Sequence, residues 1–175
     1  MRWSRHSKTE SKISNFHLKG VPQMISVVKD EGTRRRIARC ILEALPEWFG
    51  ITEAREGYIN ESAHEVMIAS IENDEPNGFL CLKETGKDTV ELAVMGVLKE
   101  FHRKGIGRAL FDVARQTAIE HGYSFIQVKT VQMGLYDEYD KTNRFYISLG
   151  FKEFEVLPDL WDENNPCQIY VMSLQ

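Results

Sequence analysis

Three β-patterned runs follow one another between His64 and Leu98 with only short turn sequences between them, and this succession constrains the fold more than any other feature. HEVMIASIEN (64–73), GFLCLKET (78–85) and TVELAVMGVL (89–98) are rich in apolar and β-branched residues and are separated by DEPN and GKD, both turn compositions. Short turns between consecutive strands predict an antiparallel meander. The period then changes. Ile106, Ala109, Leu110, Val113, Ala114, Thr117 and Ala118 share one stripe of an amphipathic helix of about four turns that ends near His121-Gly122. SFIQVKTV (124–131) is the next strand, and a strand-helix-strand passage of this length predicts parallel pairing through a right-handed crossover. A meander joined to a parallel pair requires a mixed, mostly antiparallel sheet with helices on its faces.

The flanks fit the same plan. ISVVKD (25–30) reads as a strand, and a helix follows from Thr33 as N-cap, with Ile37, Cys40, Ile41, Ala44 and Leu45 at helical spacing until Pro46. A shorter helix is expected near Glu53 to Glu61, with Ala54 and Tyr58 on one face. After the 124–131 strand come a Tyr- and Asp-rich loop and a short helix across KTNRFYISL ending at Gly150. Two last strands, FKEFEV and CQIYVMSL, are joined by LPDLWDENNP, which is too long for a tight hairpin. The expected class is α/β (α+β), in the order β-α-α-β-β-β-α-β-α-β-β.

The 175 residues suffice for one domain with a real core. With 42% apolar and 27% charged residues the composition is that of a soluble globular protein, and no apolar run approaches the roughly 20 residues that span a bilayer. The first twenty residues carry five Lys or Arg against Glu10, hence +4, and the total of −4 leaves −8 for the rest. They contain no apolar h-region of a secretory signal. Residues 1–23 are expected to be a basic surface tail, with an arm that docks on the domain or an upstream extension as alternatives, and 24–175 one domain. Cys40, Cys81 and Cys167 form no CxxC pair and suit small core positions in a reducing, cytoplasmic compartment. The five histidines lack ligand spacing, so no metal is expected, and the −8 charge argues against a nucleic-acid partner.

Between the meander and the long helix lies FHRKGIGRAL (101–110). A turn entering a helix presents unpaired N–H groups and positive dipole to an anion. Glycine at 105 and 107 lets backbone approach closely, and His102, Arg103, Lys104 and Arg108 add positive charge, so the chemistry suits a diphosphate. The Walker pattern is absent, and Leu110 stands where GxGxxG needs its third glycine, which argues against a nucleotide triphosphatase and a dinucleotide dehydrogenase.

The stretch His102-Arg103-Lys104-Gly105-Ile106-Gly107 resembles the [QR]xxGx[GA] signature of the GNAT superfamily, the acyl-CoA-dependent N-acetyltransferases, with His102 departing at the first position. A second family motif, an aromatic-Tyr pair followed by Gly-Phe, is matched by Phe145-Tyr146-Ile147-Ser148-Leu149-Gly150-Phe151, and with the element order the resemblance covers about residues 25 to 174. It implies a GNAT fold and acetyl-CoA as donor. By position, Met95, Gly96, Val97 and Leu98 would meet the acyl-pantetheine, while Arg103, Lys104, Gly105, Ile106, Gly107 and Arg108 would meet the diphosphate.

The resemblance also makes Tyr146 the general acid, since a phenol stays protonated at neutral pH and can donate to the leaving thiolate; the alternative is a core aromatic. Glu91 lies six residues before Val97, where some histone-type relatives carry a catalytic Glu. It reads equally as base or as a solvent-facing strand residue, and a water relay could replace it. No cysteine sits in the motifs, so transfer is expected to be direct. For the acceptor, family architecture points to LPEWFGI and LPDLWDENNP, which supply Trp48, Phe49, Trp161 and Asp162 with Glu47, Asp159 and Glu163. Aromatic and acidic groups together suit a cationic amine. Tyr58, Tyr136, Asp137, Glu138 and Asp140 could add to them, or these aromatics anchor loops and the acids face water. The expected activity is acetyl transfer to a primary amine of a small cationic molecule (antibiotic-, polyamine- or amino-acid-like). The alternatives are a protein or peptide amine, or a non-catalytic acyl-CoA-binding domain. Edge strands allow a monomer or a homodimer.

Overall fold

A computed structural model describes the backbone of residues 14–18 and 21–23 and all atoms of 24–162 and 164–175. One eight-stranded sheet, ordered β1-β2-β3-β4-β5-β6-β8-β7, forms the middle layer. In chain order the strands are β1 (Ser14–Leu18), β2 (Val21–Val28), β3 (Val66–Glu72), β4 (Glu75–Glu84), β5 (Thr89–Val97), β6 (Phe125–Val131), β7 (Lys152–Asp162) and β8 (Asn165–Ser173). The helices are α1 (Glu31–Glu43), α2 (Pro46–Phe49), α3 (Thr52–Ser62), α4 (Ile106–Glu120) and α5 (Asp137–Leu149). Among the described residues only β5 and β6 pair in parallel, through the α4 crossover, so the mixed, mostly antiparallel sheet expected from the sequence is present.

Several details differ. Within the segment read as a tail, Ser14–Leu18 forms an edge strand antiparallel to β2, which starts at Val21 rather than at Ile25; residues 1–13, 19 and 20 lie outside the described residues. Helix α1 is capped by Asp30, whose Oδ2 accepts from the Thr33 N–H at 2.7 Å, so Thr33 is the capped residue and not the cap. The β3–β4 hairpin turns on Asn73 and Asp74, both at positive φ, as a two-residue turn demands, and Glu75 and Pro76 already belong to β4. LPDLWDENNP is no long loop. Strand β7 continues through it to Asp162, with its register against β8 broken between Leu157 and Asp162, where Pro158 sits on the sheet's edge. Cys81 and Cys167 are buried as expected, whereas Cys40 is exposed.

Two apolar layers flank the sheet. Ile106, Leu110, Phe111 and Ala114 of α4 pack with Leu80, Leu82, Val90 and Leu92 on one face, joined by Tyr146, Phe151 and Tyr170. Ile37, Ile41, Leu42 and Ile59 from α1 and α3 cover Met67, Phe79, Cys81 and Val94 on the other. Burial of this kind contributes roughly 25 cal/mol per Å² of apolar area and fixes which face each strand residue takes.

A β-bulge in β5 creates the site. Cys81 pairs with Val94 but Leu82 with Leu92, so Ala93 is the extra residue. Before it, Val90 and Leu92 face α4; after it, Val94 faces α1, and Met95 and Val97 take over the α4 side. Pairing of β5 with β6 ends at the same place, with Leu92 and Val128 the last partners although β5 runs on to Val97 and β6 to Val131. The two strands part there. On the α1 side Gly96 lets the helix approach, because a Cβ at that residue would lie 2.7 Å from Ile41 Cγ2.

Candidate active site

Where β5 and β6 part, a cavity of about 1250 Å³ opens between the α2–α3 segment, the N-terminus of α4 and helix α5. One wall is the β5 edge from Ala93 to Val97, whose backbone groups on the β6 side have no strand partner and, apart from the Val97 carbonyl that His102 engages, can pair with an extended, amide-bearing ligand.

The glycine turn closes one end. Gly105 is the N-cap of α4 at φ 84°, Arg103 stands at φ 60°, and no side chain caps the helix. Left-handed residues on either side of Lys104 curve the chain ahead of a 15-residue helix, and successive N–H groups in such a curve form an anion-binding concavity. His102, the mismatch to the family signature, anchors the turn. Its Nε2 lies 2.7 Å from the Val97 carbonyl, and its ring meets Trp48 edge-on with centroids 6.2 Å apart. Arg108 lines the cavity while one guanidinium nitrogen donates to Ser148 O at 2.9 Å, near the negative end of α5. Of the ten residues expected to hold the donor, Leu98 and Lys104 do not line the cavity. Leu98 packs beneath α1, and the Lys104 ammonium sits 4.7 Å over the Phe101 ring. The pantetheine arm and diphosphate of acetyl-CoA fit this wall: an unpaired strand edge for the amides and an uncapped helix start for the anion.

Tyr146 enters from α5. It is buried among Phe145, Phe151 and Tyr170 yet lines the cavity, and among the described residues its hydroxyl has no hydrogen-bond partner. Burial, with a smaller contribution from nearby Tyr58, raises its pKa above the ordinary phenol value, so the proton stays on oxygen. Glu91 stands apart. It is not part of the cavity wall; its Oε2 accepts from Lys129 Nζ at 2.6 Å and from Gln127 at 3.2 Å. Lys129 itself lines the cavity, so Glu91 reaches the site only through it or through solvent.

Trp48, Phe49, Trp161 and Asp162 all line the cavity, and Trp48 reaches the glycine turn through His102. Trp48 spans the cleft: its Nε1 donates to Thr142 Oγ1 at 3.2 Å, its carbonyl accepts from Tyr139 at 3.1 Å, and its neighbour Glu47 pairs with Lys99. Asp162 is engaged in its own turn, accepting from Asn164 N at 2.9 Å and from Asn165 Nδ2, which holds its carboxyl below the usual carboxylate range. Tyr58 and Glu138 join the wall, whereas Tyr136, Asp137, Asp140 and Asp159 do not, and Glu163 lies outside the described residues. Arg55, Lys129 and Lys141 also line the cavity, and no pattern in the sequence marks them beyond the shared face of Ala54 and Tyr58 on the same helix as Arg55. Among the described residues no group of three or more His, Cys, Asp or Glu could hold a metal ion, and no helix is long and apolar enough to cross a membrane.

An uncapped glycine turn beside a parted β5–β6 pair offers backbone groups to an extended, anionic ligand, and the chain matches one known family. The acetyltransferase (GNAT) domain profile matches residues 62–153. The chain belongs to the GNAT family and is an N-acetyltransferase that uses acetyl-CoA. Its fold is similar to the ribosomal-protein-S18-alanine N-acetyltransferase from Escherichia coli (TM-score 0.68, 16% identity, 87% of this chain and 94% of that one). A GNAT-family acetyltransferase from Elizabethkingia anophelis with acetyl-CoA bound is comparably similar (0.67, 16%, 86% and 97%). So is the aminoglycoside 6'-N-acetyltransferase from Enterococcus faecium (0.63, 22%, 86% and 97%). No curated protein sequence matches the chain.

Proposed function

We propose that the acceptor is a primary amine of a small cationic molecule, received between Trp48, Phe49 and Trp161, and that the acetyl group passes to it directly with Tyr146 as general acid. The observation that carries this reading is the Tyr146 hydroxyl, protonated and without a hydrogen-bond partner among the described residues, at the cavity wall where the β5 edge opens. Acetyl-CoA supplies the thioester. Backbone groups of Met95, Gly96 and Val97 would align its amide-bearing arm, and the N–H groups of Gly105, Ile106 and Gly107 with Arg103 and Arg108 would take the diphosphate. The amine nitrogen bonds to the acyl carbon, the carbon–sulfur bond breaks, and Tyr146 gives its proton to sulfur. The amine's proton leaves through water, with Glu91 acting behind Lys129 and not by contact.

Support for a cationic acceptor comes from the aromatic faces of Trp48, Phe49 and Trp161, since the wall carboxylates Glu47 and Glu138 are already paired with Lys99 and Lys141. The known substrates of the similar folds, an aminoglycoside and a ribosomal protein, span both small and macromolecular amines. Thiol release with acetyl-CoA and a panel of polyamines, amino acids, aminoglycosides and N-terminal peptides tests the reading. Transfer to small amines is expected; transfer to peptides alone would overturn it. An acetyl-CoA-induced rise in melting temperature with no transfer at all would favour an acyl-CoA-binding role.

A further inference from the structure

We infer that the acceptor also carries an anionic group, a carboxylate in the simplest case, and that Arg55 receives it. This rests on the reading of the Trp48–Trp161 end as the acceptor site and narrows the substrate class to amines that bear a carboxylate.

The charged side chains of the wall differ in whether a partner already holds them. Glu47 is taken by Lys99, Glu138 by Lys141, and Lys129 by Glu91. Asp162 is held by the amide groups of Asn164 and Asn165. Arg103 and Arg108 belong to the glycine turn. That leaves Arg55. It stands on α3 between Ile51 and Tyr58, which also line the cavity, and one guanidinium nitrogen donates to the Phe49 carbonyl at 3.1 Å. Among the described residues no carboxylate lies within ion-pair distance of it, and its Nε is buried with no hydrogen-bond partner. A guanidinium cannot shed its charge at any working pH, and its planar fork matches a carboxylate in two parallel bonds. A half-buried Arg with donors unmet at the wall of a substrate cavity is therefore a receptor for an anion that arrives with the substrate. The Phe49 carbonyl engages Nη1, and Nη2, which makes no hydrogen bond among the described residues and unlike Nε is not buried, is the donor that a carboxylate in the cavity would meet. The rings of Trp48 and Trp161 would cover the apolar length between that carboxylate and the amine at Tyr146.

The test uses pairs that differ in the carboxylate: 5-aminovalerate against pentylamine, and lysine against cadaverine. Binding to wild type and to Arg55→Gln, each loaded with coenzyme A, is measured by calorimetry, which needs no turnover; thiol release with acetyl-CoA is measured separately. A charge-assisted pair predicts roughly ten- to hundredfold tighter binding of the carboxylate member, lost in Arg55→Gln and partly kept in Arg55→Lys, with acetyl-CoA affinity unchanged. Equal or absent binding of the two members by wild type, or a preference that survives Arg55→Gln, overturns the inference. Preferential binding without thiol release would sustain Arg55 as the anion receptor and sink the small-amine transfer reading instead. If Arg55→Gln unfolds, the Arg55→Lys ratio decides on the same terms.

Discussion

Gly107 lies against Phe145: a Cβ at residue 107 would stand 3.0 Å from Phe145 Cζ and 3.3 Å from Met95 Cε. The glycine of one motif and the aromatic of the other are thus the two halves of a single contact, which sets α5 and its Tyr146 against the first turn of α4.

Gly107→Ala should therefore loosen the site from behind. Overpacking of this kind costs about 1–3 kcal/mol, and the melting temperature should fall by a few degrees. Acetyl-CoA affinity should fall several-fold as the α4 turn shifts. Phe145→Leu in the same chain should recover both. Thermal melts and acetyl-CoA titration check this, and no recovery in the double variant would remove the contact as the cause.

Tyr146→Phe should lower kcat by about 10²–10⁴-fold, the range for a lost general acid, and leave acetyl-CoA affinity nearly unchanged. The pH dependence has a definite sign. Because burial raises the Tyr146 pKa, the phenol remains protonated beyond the ordinary phenol range, so the wild-type rate should show no alkaline fall from this group near pH 10. An equal drop in kcat and in acetyl-CoA binding would exclude the acid role.

The donor end was legible in the sequence because its chemistry is local. Gly105, Gly107 and the basic residues around them are contiguous, and a strand before and a helix after define how the turn must fold. The acceptor end is assembled from α2, α3, α5 and the end of β7, and what each acid does depends on partners far along the chain. Glu47 suggested a site for a cation, yet Lys99 already holds it; Asp162 ties down its own turn. Arg55 and Lys129 carry no signal of their role in the sequence because a single basic residue on a helix or strand has no pattern. The length of β7 was hidden for another reason: the strand lies at the edge of the sheet, mostly exposed, so neither alternation nor the exclusion of Pro158 applies to it.

Glu91 and Lys129 provide a third expectation. Their side chains are 13% and 27% exposed, and the pair lies beside the point where β5 and β6 separate. Glu91→Gln should cost about 1–3 kcal/mol, between the values for surface and fully buried pairs, since it leaves a Lys in the wall without its counter-charge. The double variant Glu91→Leu, Lys129→Met separates structure from catalysis. If Glu91 takes the amine's proton through water, the double variant should regain stability but not kcat/KM at any pH. Recovery of both would make the pair purely structural.

Glu65 gives the protein a pH-dependent stability unrelated to transfer. The residue lies just before β3, both carboxylate oxygens are buried with no hydrogen-bond partner among the described residues, and burial pushes its pKa up from 4.5 to about 7. Lys83 opposes that shift, whereas Glu61 and Glu91 reinforce it, and the neighbouring Cys81 thiol is itself pushed up by burial. The folded state therefore holds a proton that the unfolded chain releases. Its stabilising contribution is full below about pH 4.5 and is lost as pH rises through about 7. The span amounts to roughly 3 kcal/mol at 1.36 kcal/mol per unit. Glu65→Gln keeps the shape and removes the titration, so its melting temperature should exceed wild type at pH 8 by several degrees and converge with it near pH 5. A constant difference between the two proteins from pH 5 to pH 8 would mean that Glu65 is ionised throughout and solvated in the folded state.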